Sequence, residues 1–454
     1  MTCTIVIFQY KEFTNYEIRL KKFSSYYELK YFIKTNLEIL NSKSRGEILA
    51  SYDAESGEVA SVATAPGYST TNIQVEGVDE ADIVKTDGKY IYVVSNNSVI
   101  IVKAYPPEEA EVLSKMEFNG TVTGIYVNKD RLVVFESNFP LFYIFYVYEP
   151  SYEQKTSIKI YDISDRKTPI LKRDISLSGW YFDSRMTGEY VYVIVNSPAI
   201  KTSEDGKIEV LLPRISVNNC EEVVPAYKIY YSAVSDYYYT YTIIMAINVQ
   251  NDQEEPTYET ILMGISSSMY VSLNNIYLVV SKWSETGVEV TIIHRIHIEG
   301  NKIKYEASGQ VPGIVLNQFS MDEYNKYFRI ATTTRHVARS PEEATSANHI
   351  YILDLNMSIV GKIKNIAPGE TIYSARFMRN KCYLVTFKKV DPFFVIDLED
   401  PTNPKILGKL KISGYSDYLH PYDENHIIGI GKETVEAEEG DFAWYQGVKY
   451  RSSM

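Results

Sequence analysis

The chain has 454 residues, of which 45% are apolar and 23% charged, with a formal net charge of −12. That length exceeds one average domain and calls for several domains or one large repeat-built unit, and a negative balance spread along the chain without a basic stripe argues against a nucleic-acid partner. The longest uncharged apolar-aromatic run, Leu141 to Tyr148, is far short of the roughly 20 residues of a membrane-spanning helix.

The first 45 residues lack the charged start, apolar stretch and small-residue cleavage site of an export signal. Taken literally, this start gives an intracellular protein. In "FSSYYELKYFIKTNLEIL" (23–40), Ser25 is placed to cap a helix and Glu28 to reach back to it. Leu29, Phe32, Ile33, Leu37 and Leu40 then recur at helical spacing, so segment 1–41 is expected to carry one amphipathic helix whose apolar face needs a partner. Residues 42–71 are rich in Ser, Ala, Gly and Glu without any period and read as a flexible linker.

From 72 to 454 the pattern is all-β. One unit recurs as strand, polar turn and a strand of Tyr, Val and Ile: "DGKYIYVVS", "NKDRLVVFE", "TGEYVYVIV", "LNNIYLVVS", "YNKYFRIAT", "RNKCYLVTF" and "DENHIIGIG". The 40 Tyr, against 17 Phe, suit half-buried strands whose hydroxyls stay wet. A second strand follows each of the first six units, as in "SIKIYDISD" and "HIYILDLNM", and aligns Lys103, Asp162, Asn248, Arg295, Asp354 and Asp397 at gaps of 59, 86, 47, 59 and 43. The shortest gaps match one propeller blade, and the longer ones are read as loops at Asn138 to Thr156, Ser197 to Tyr239 and Arg335 to Asn348. A further strand closes each unit, so the expected fold is a β-propeller of four-stranded antiparallel blades at 82–119, 121–178, 180–263, 265–310, 312–366 and 370–413, with a seventh, incomplete blade at 415–454. An incomplete blade leaves an unpaired edge. Either "TTNIQVEGV" at 70–78 fills it or the chain is truncated.

"TNIQVEGVDEADIVKTDGKYIYVVSNN" at 71–97 resembles the opening signature of the secreted β-propeller domain proteins of archaea and some bacteria, a family distantly related to WD-repeat propellers. "IKIYDISD" (158–165), "GYSDYLHPYDENHIIGIGKET" (414–434) and "GDFAWYQGVK" (440–449) extend the resemblance over roughly Phe23 to Lys449. Members begin with an export signal or membrane anchor and continue past "GVK" with further strands, where this chain has "MTCTIVIFQYKEFTNYEIR" and "YRSSM". The comparison implies a misassigned start and a frameshift or early stop. It also implies an extracellular or cell-surface location, and no particular chemistry.

Glu76, Asp79, Glu80 and Asp82 form the most site-like cluster, because carboxylates are hard-cation ligands and Ca2+ is the cation they suit. Without the Gly-bounded spacing of a calcium loop, the same cluster reads as a solvated leading loop that ties the first blade to the last. Asp417, His420 and Asp423 place an imidazole between two carboxylates, as a base with orienting partners or a ligand set, or else as a structural His among turn-forming Asp residues. His294 and His297 sit three apart on an alternating strand and face opposite ways. Asp162, Asp354 and Asp397 recur at one blade position and read as turn residues accepting backbone N–H groups.

Cys3, Cys220 and Cys382 lie too far apart for a paired motif. Asn96, Asn119 and Asn356 head glycosylation sequons that matter only in an exported chain. No phosphate loop, G-x-S-x-G elbow, H-E-x-x-H, C-x-x-C or sialidase-type Asp box occurs, and Trp180, Trp283 and Trp444 do not repeat as quinoprotein docking motifs do. Two readings follow. One is a non-catalytic binding or scaffold propeller for a protein or glycan of the cell envelope, with the Tyr-rich end of the Ser197–Tyr239 insertion as its contact surface, that run reading equally as part strand and part stabilising flap. The other is an extracellular metal-dependent hydrolase with its site at the central channel. Convergent carboxylates in the channel would favour the enzyme, and a plugged channel the scaffold.

Overall fold

The structure, a computed structural model, describes residues 20–43, 73–138, 154–203, 207–232, 239–283, 289–335, 346–387, 391–412, 414–436 and 450–452. Strands dominate. Four antiparallel strands form each of sheet 1 (Val84–Thr86, Tyr90–Ser95, Ser98–Lys103, Glu111–Glu117), sheet 4 (Ser268–Val271, Asn275–Trp283, Glu289–Glu299, Lys302–Pro312), sheet 5 (Met321–Tyr324, Tyr327–Arg335, Ser346–Leu353, Ile359–Ile366) and sheet 6 (Thr371–Met378, Lys381–Phe387, Asp391–Asp397, Lys405–Ile412). Sheet 2 (Thr121–Asn128, Arg131–Ser137, Lys155–Asp162, Ile170–Ser178) and sheet 3 (Trp180–Thr187, Tyr190–Pro198, Thr240–Asn248, Thr257–Leu262) carry extra strands at their edges. A hairpin, Tyr415–Pro421 with Ile427–Lys432, follows sheet 6.

Sheets 2 to 5 pack apolar side chains against a neighbour on either side in chain order, and sheets 1 and 6 do so against sheet 2 and sheet 5 respectively. Val99 and Ile101 of sheet 1 pack with Ile125, Leu132 and Val134 of sheet 2, Ile194 and Ile244 of sheet 3 with Ile276 and Leu278 of sheet 4, and Ile350 and Ile352 of sheet 5 with Ile372 and Leu384 of sheet 6. At about 1.5–3 kcal/mol per fully buried aliphatic side chain, these junctions are the main source of stability. Hydroxyls then join sheet to sheet. Tyr126 of sheet 2 meets Ser184 of sheet 3 at 3.0 Å, Tyr192 donates to the Gly300 carbonyl at 2.8 Å, and Tyr277 of sheet 4 donates to Glu323 of sheet 5 at 2.9 Å.

The first strand of each sheet lies innermost. Four inner hairpins turn through two residues, Lys129–Asp130, Gly188–Glu189, Asn325–Lys326 and Arg379–Asn380, whose first members have φ of 54°, 61°, 50° and 50°. This is the primed-turn geometry that matches strand twist. It sets one register for these inner hairpins, so that the third cross-strand pair from the turn joins residues seven apart.

The helix spans Tyr26–Lys43. Ser25 Oγ accepts from Glu28 N at 3.2 Å, while Glu28 reaches back one residue further than the sequence suggests, taking Ser24 N and Oγ at 2.6 Å. Its partner is the edge of sheet 3. Leu29 and Ile33 are fully buried there, and Phe23 stacks on Tyr231 at 3.9 Å. Lys21–Lys22 also pairs with Ile229–Tyr231, which runs parallel to Thr257–Leu262.

The Ser197–Tyr239 insertion, read from sequence as a loop, is largely strand. Arg214–Val217 and Cys220–Val223 extend the outer edge of sheet 2 through Ile175–Leu177, so an insertion of sheet 3 clasps its neighbour. Of the tyrosines at its end, Tyr227 is exposed, Tyr230 and Tyr231 are half-buried, and Tyr239 and Tyr241 are buried. The remainder, 233–238, lies outside the described residues. No helix among the described residues is long and apolar enough to cross a membrane.

Replacing Tyr277 by Phe should lower stability by about 1–2 kcal/mol, since the ring keeps its stack on Phe328 and only the bond to Glu323 is lost. Equilibrium urea unfolding measures this, and an unchanged midpoint would show that the hydroxyl contributes nothing.

Candidate functional site

Residues 73–82 cross the hub as a strap. Gln74 Nε2 donates to the carbonyls of Gln318 and Met321 at the start of sheet 5, at 3.0 and 3.1 Å. Gly77, at φ 81°, turns the strap beside Leu273 of sheet 4. Val78–Glu80 then pairs with Arg185–Thr187, adding a strand inside sheet 3, and Asp82 exchanges backbone bonds with Ile125 of sheet 2 before the chain enters sheet 1. The segment therefore ties sheets 1, 2, 3 and 5 at the centre. In these contacts Val78 adds its strand to sheet 3, where the sequence had suggested completion of the last blade.

Around the strap runs a belt of polar side chains at one register. Lys85, Tyr126, Arg185, Tyr270, Asp322 and Arg376, all on inner strands, stand opposite Tyr92, Val133, Tyr192, Tyr277, Arg329 and Tyr383 on the second strands. His420 lies beside them on the hairpin, opposite Ile428. Each pair in the six sheets is seven residues apart. Burial makes their charges expensive unless compensated, and most are compensated. Lys85 Nζ, 5% exposed, meets Asp79 at 2.7 Å and the Glu80 carbonyl at 2.6 Å. Arg185, 4% exposed, contacts Asp183 at 2.7 Å, Gln318 Oε1 at 2.6 Å and Glu80 at 3.6 Å. Burial works against its charge, yet Asp183 and Glu80 hold the guanidinium fully protonated. Arg329 is gripped by both oxygens of Asp322, at 2.6 and 2.5 Å.

Of the acidic cluster, Asp79 and Glu80 are thus taken up by Lys85 and Arg185, Asp82 caps its neighbour's N–H at 2.7 Å, and Glu76 is exposed. Asp417, His420 and Asp423 are not brought together. His420 is buried against the Tyr418 hydroxyl at 3.2 Å, Asp417 is exposed, and Asp423 pairs with His426 at 2.7 Å, because the hairpin turn carries Asp423 away from the strand. Among the described residues, no three His, Cys, Asp or Glu side chains gather as metal ligands. Asp162 accepts from Ser164 N, Asp354 from Asn356 N and Ser358 N, and Asp397 from Glu399 N, at 2.9–3.0 Å. Those bonds and Arg131 hold the Asp162 carboxyl well below the usual range.

His294 and His349 are buried, and burial pushes each imidazole down to about 4. Asn365 N donates to His349 Nδ1, so Nε2 carries the proton toward Thr334 Oγ1 at 2.9 Å and the ring is neutral. Cys220 is exposed and Cys382 buried, both free, and Cys3 lies outside the described residues. Asn96, Asn119 and Asn356 are exposed in turns.

On the outer surface, a cleft of about 290 Å³ opens between sheets 1 and 2, lined by Lys89, Tyr90, Lys103, Glu111, Arg166 and Lys167. Lys89 and Arg166 flank the Tyr90 ring at 5.4 and 5.2 Å from its centre.

Residues 68–451 match the β-propeller domain family. The chain belongs to that family. Among relatives, an uncharacterized protein of Methanocaldococcus jannaschii is 31% identical over 85% of this chain and 69% of its own length. An uncharacterized protein of Archaeoglobus fulgidus is 26% identical over 93% and 76%. A hypothetical selenium-binding protein from Sulfolobus tokodaii, solved by X-ray crystallography, shows 10% identity over 76% of each chain with a TM-score of 0.32. Within this β-propeller, the belt escaped sequence reading because its members differ in type.

Arg185→Gln leaves Glu80 and Asp183 without their cation and should destabilise the propeller by about 1–3 kcal/mol, since both carboxylates stay partly exposed and keep backbone donors. Amide exchange at Val78–Glu80 should accelerate in step, and unchanged protection would detach the strap from this ion pair. The two histidines give a pH signature. Their folded pKa is depressed, so their stabilising contribution is complete above about 6.5 and is lost as pH falls toward 4, at roughly 1.4 kcal/mol per pH unit for each. Urea midpoints between pH 7 and 4.5 measure the slope, which His294→Asn combined with His349→Gln should flatten.

Proposed function

We propose that the chain is a non-catalytic binding or scaffold propeller, displayed outside the cell, that holds a protein or glycan of the envelope. The observation that carries this reading is the occupied hub. The strap fills the centre with backbone, and its Asp79 and Glu80 are neutralised by Lys85 and Arg185. A metal-dependent hydrolase would need those carboxylates to converge on a cation. The extracellular setting rests on the resemblance to secreted members, and the uncharacterized relatives add no activity.

The cleft between sheets 1 and 2 is the best contact surface. Four cationic side chains, Lys89, Lys103, Arg166 and Lys167, line it with Tyr90 against two carboxylates, Glu111 and Asp165, on a chain that is otherwise acidic, and this local excess of positive side chains suits an anionic glycan or an acidic protein face. Lys103 and Arg166 are anchored by Glu109 and Asp130, while Lys89 and Lys167 are exposed.

The test is co-sedimentation of the full chain with isolated archaeal envelopes. Binding should weaken at least about tenfold in Lys89→Glu/Lys167→Glu and with rising salt. Binding unaffected by both changes would place the contact elsewhere. Absence of binding together with calcium-dependent turnover of chromogenic glycosides or esters would replace this reading with the hydrolase.

A further inference from the structure

Exposed tyrosines are not spread evenly over the molecule. Among the described residues six are exposed, and four of them, Tyr26, Tyr27, Tyr31 and Tyr227, lie on the helix or on the turn Ala226–Lys228 that packs against it. Leu29 and Ile33 point one side of the helix into the core, and the opposite side presents Tyr27, Lys30, Tyr31 and Lys34 at helical spacing. Tyr27 is 78% exposed, Tyr31 63% and Tyr227 61%, so most of each side chain meets solvent. Tyr26 is fixed by its hydroxyl, which donates to the Val210 carbonyl at 2.8 Å.

The charge at this face runs against that of the chain. The strand Lys21–Lys22 and the helix carry five lysines, Lys21, Lys22, Lys30, Lys34 and Lys43, against Glu28 and Glu38, on a chain of net charge −12. Glu28 is turned back onto Ser24 and accepts from the Tyr231 hydroxyl at 3.3 Å. Neighbouring carboxylates of the insertion are matched locally: Glu221 meets Arg214 at 2.8 Å, Glu222 meets Lys228 at 3.3 Å, and Glu209 stands opposite Lys201. Because exposed charges more than about 10 Å apart are screened at ~0.1 M salt, an approaching surface feels this patch rather than the whole molecule.

We propose that this helix face docks on an anionic lipid bilayer, with the helix lying along the headgroups. Tyr settles at headgroup depth because its ring is apolar and its hydroxyl polar, and Lys reaches along its apolar stem to the lipid phosphates. Tyr27, Lys30, Tyr31 and Lys34 stand on the convex side of a helix, which fits a flat partner, whereas a small ligand such as a sugar calls for a concave site. A lipid partner goes beyond the binding of an envelope protein or glycan and stands whether or not the outer cleft holds one.

The experiment is flotation of the full chain with unilamellar vesicles of phosphatidylcholine, alone or with about one-third phosphatidylglycerol, at low and high salt. Anionic vesicles should carry at least about tenfold more protein than neutral ones, and the excess should fall as salt rises. Lys30→Glu/Lys34→Glu should remove at least about nine-tenths of the bound protein and Tyr27→Ser/Tyr31→Ser at least about half, while Lys89→Glu/Lys167→Glu at the outer cleft should leave binding unchanged. The four helix side chains are exposed, so both pairs should keep the parent's unfolding midpoint, and where one pair fails to fold the other decides by the same criterion. Equal binding to both vesicle types, no binding, or undiminished binding in either folded pair would overturn the proposal. Loss of vesicle binding in the cleft variant would overturn it too, by assigning the lipid contact to the cleft. So would capture by soluble polygalacturonate through Tyr27 and Tyr31 without binding to anionic vesicles, which would make the face a glycan site.

Discussion

No sheet of this propeller can bury its own faces. Four strands expose two apolar surfaces, and only the next sheet in the chain covers each of them, so stability is a property of junctions rather than of blades. The abundance of Tyr follows from the same constraint. At the rim of a junction a side chain must be apolar along its body and polar at its tip, and Tyr126, Tyr192 and Tyr277 meet both demands by packing their rings and bonding the adjacent sheet.

The hub poses the opposite problem. Inner strands bring charged residues close together where little water reaches, and such groups persist when each finds a countercharge. The strap supplies part of that balance, since Asp79 and Glu80 neutralise Lys85 and Arg185 while the strap backbone closes the inner edge of sheet 3. A single stretch of chain thus settles electrostatics and edge pairing together. Among the described residues it leaves Arg376 Nη1 buried without a hydrogen-bond partner.

The β-propeller fold was legible in the sequence because its signals are local and repeated: alternating Tyr, Val and Ile strands, polar turns, and an Asp at the same position of several units. The family signature beginning at residue 71 agreed with them. The hub was not legible, because Lys85, Arg185, Asp322 and Arg376 share a register but not a residue type. The acidic strap looked like a ligand set, since one-dimensional spacing does not reveal that Lys85 and Arg185 arrive from other strands to meet it. Likewise Asp423 seemed close to His420, although the turn assigns it to His426. The Ser197–Tyr239 insertion looked like a loop because its strands are only three or four residues long, and two of them pair with partners distant in sequence.

That insertion has a consequence for how such a chain can change over evolutionary time. Sheets 4, 5 and 6 are each built from four consecutive strands and are, in principle, interchangeable cassettes. Sheets 2 and 3 are not, because Arg214–Val217 leaves one and completes the edge of the other. Duplication, loss or recombination of whole blades therefore cannot separate sheet 2 from sheet 3, and those two must be inherited as one block.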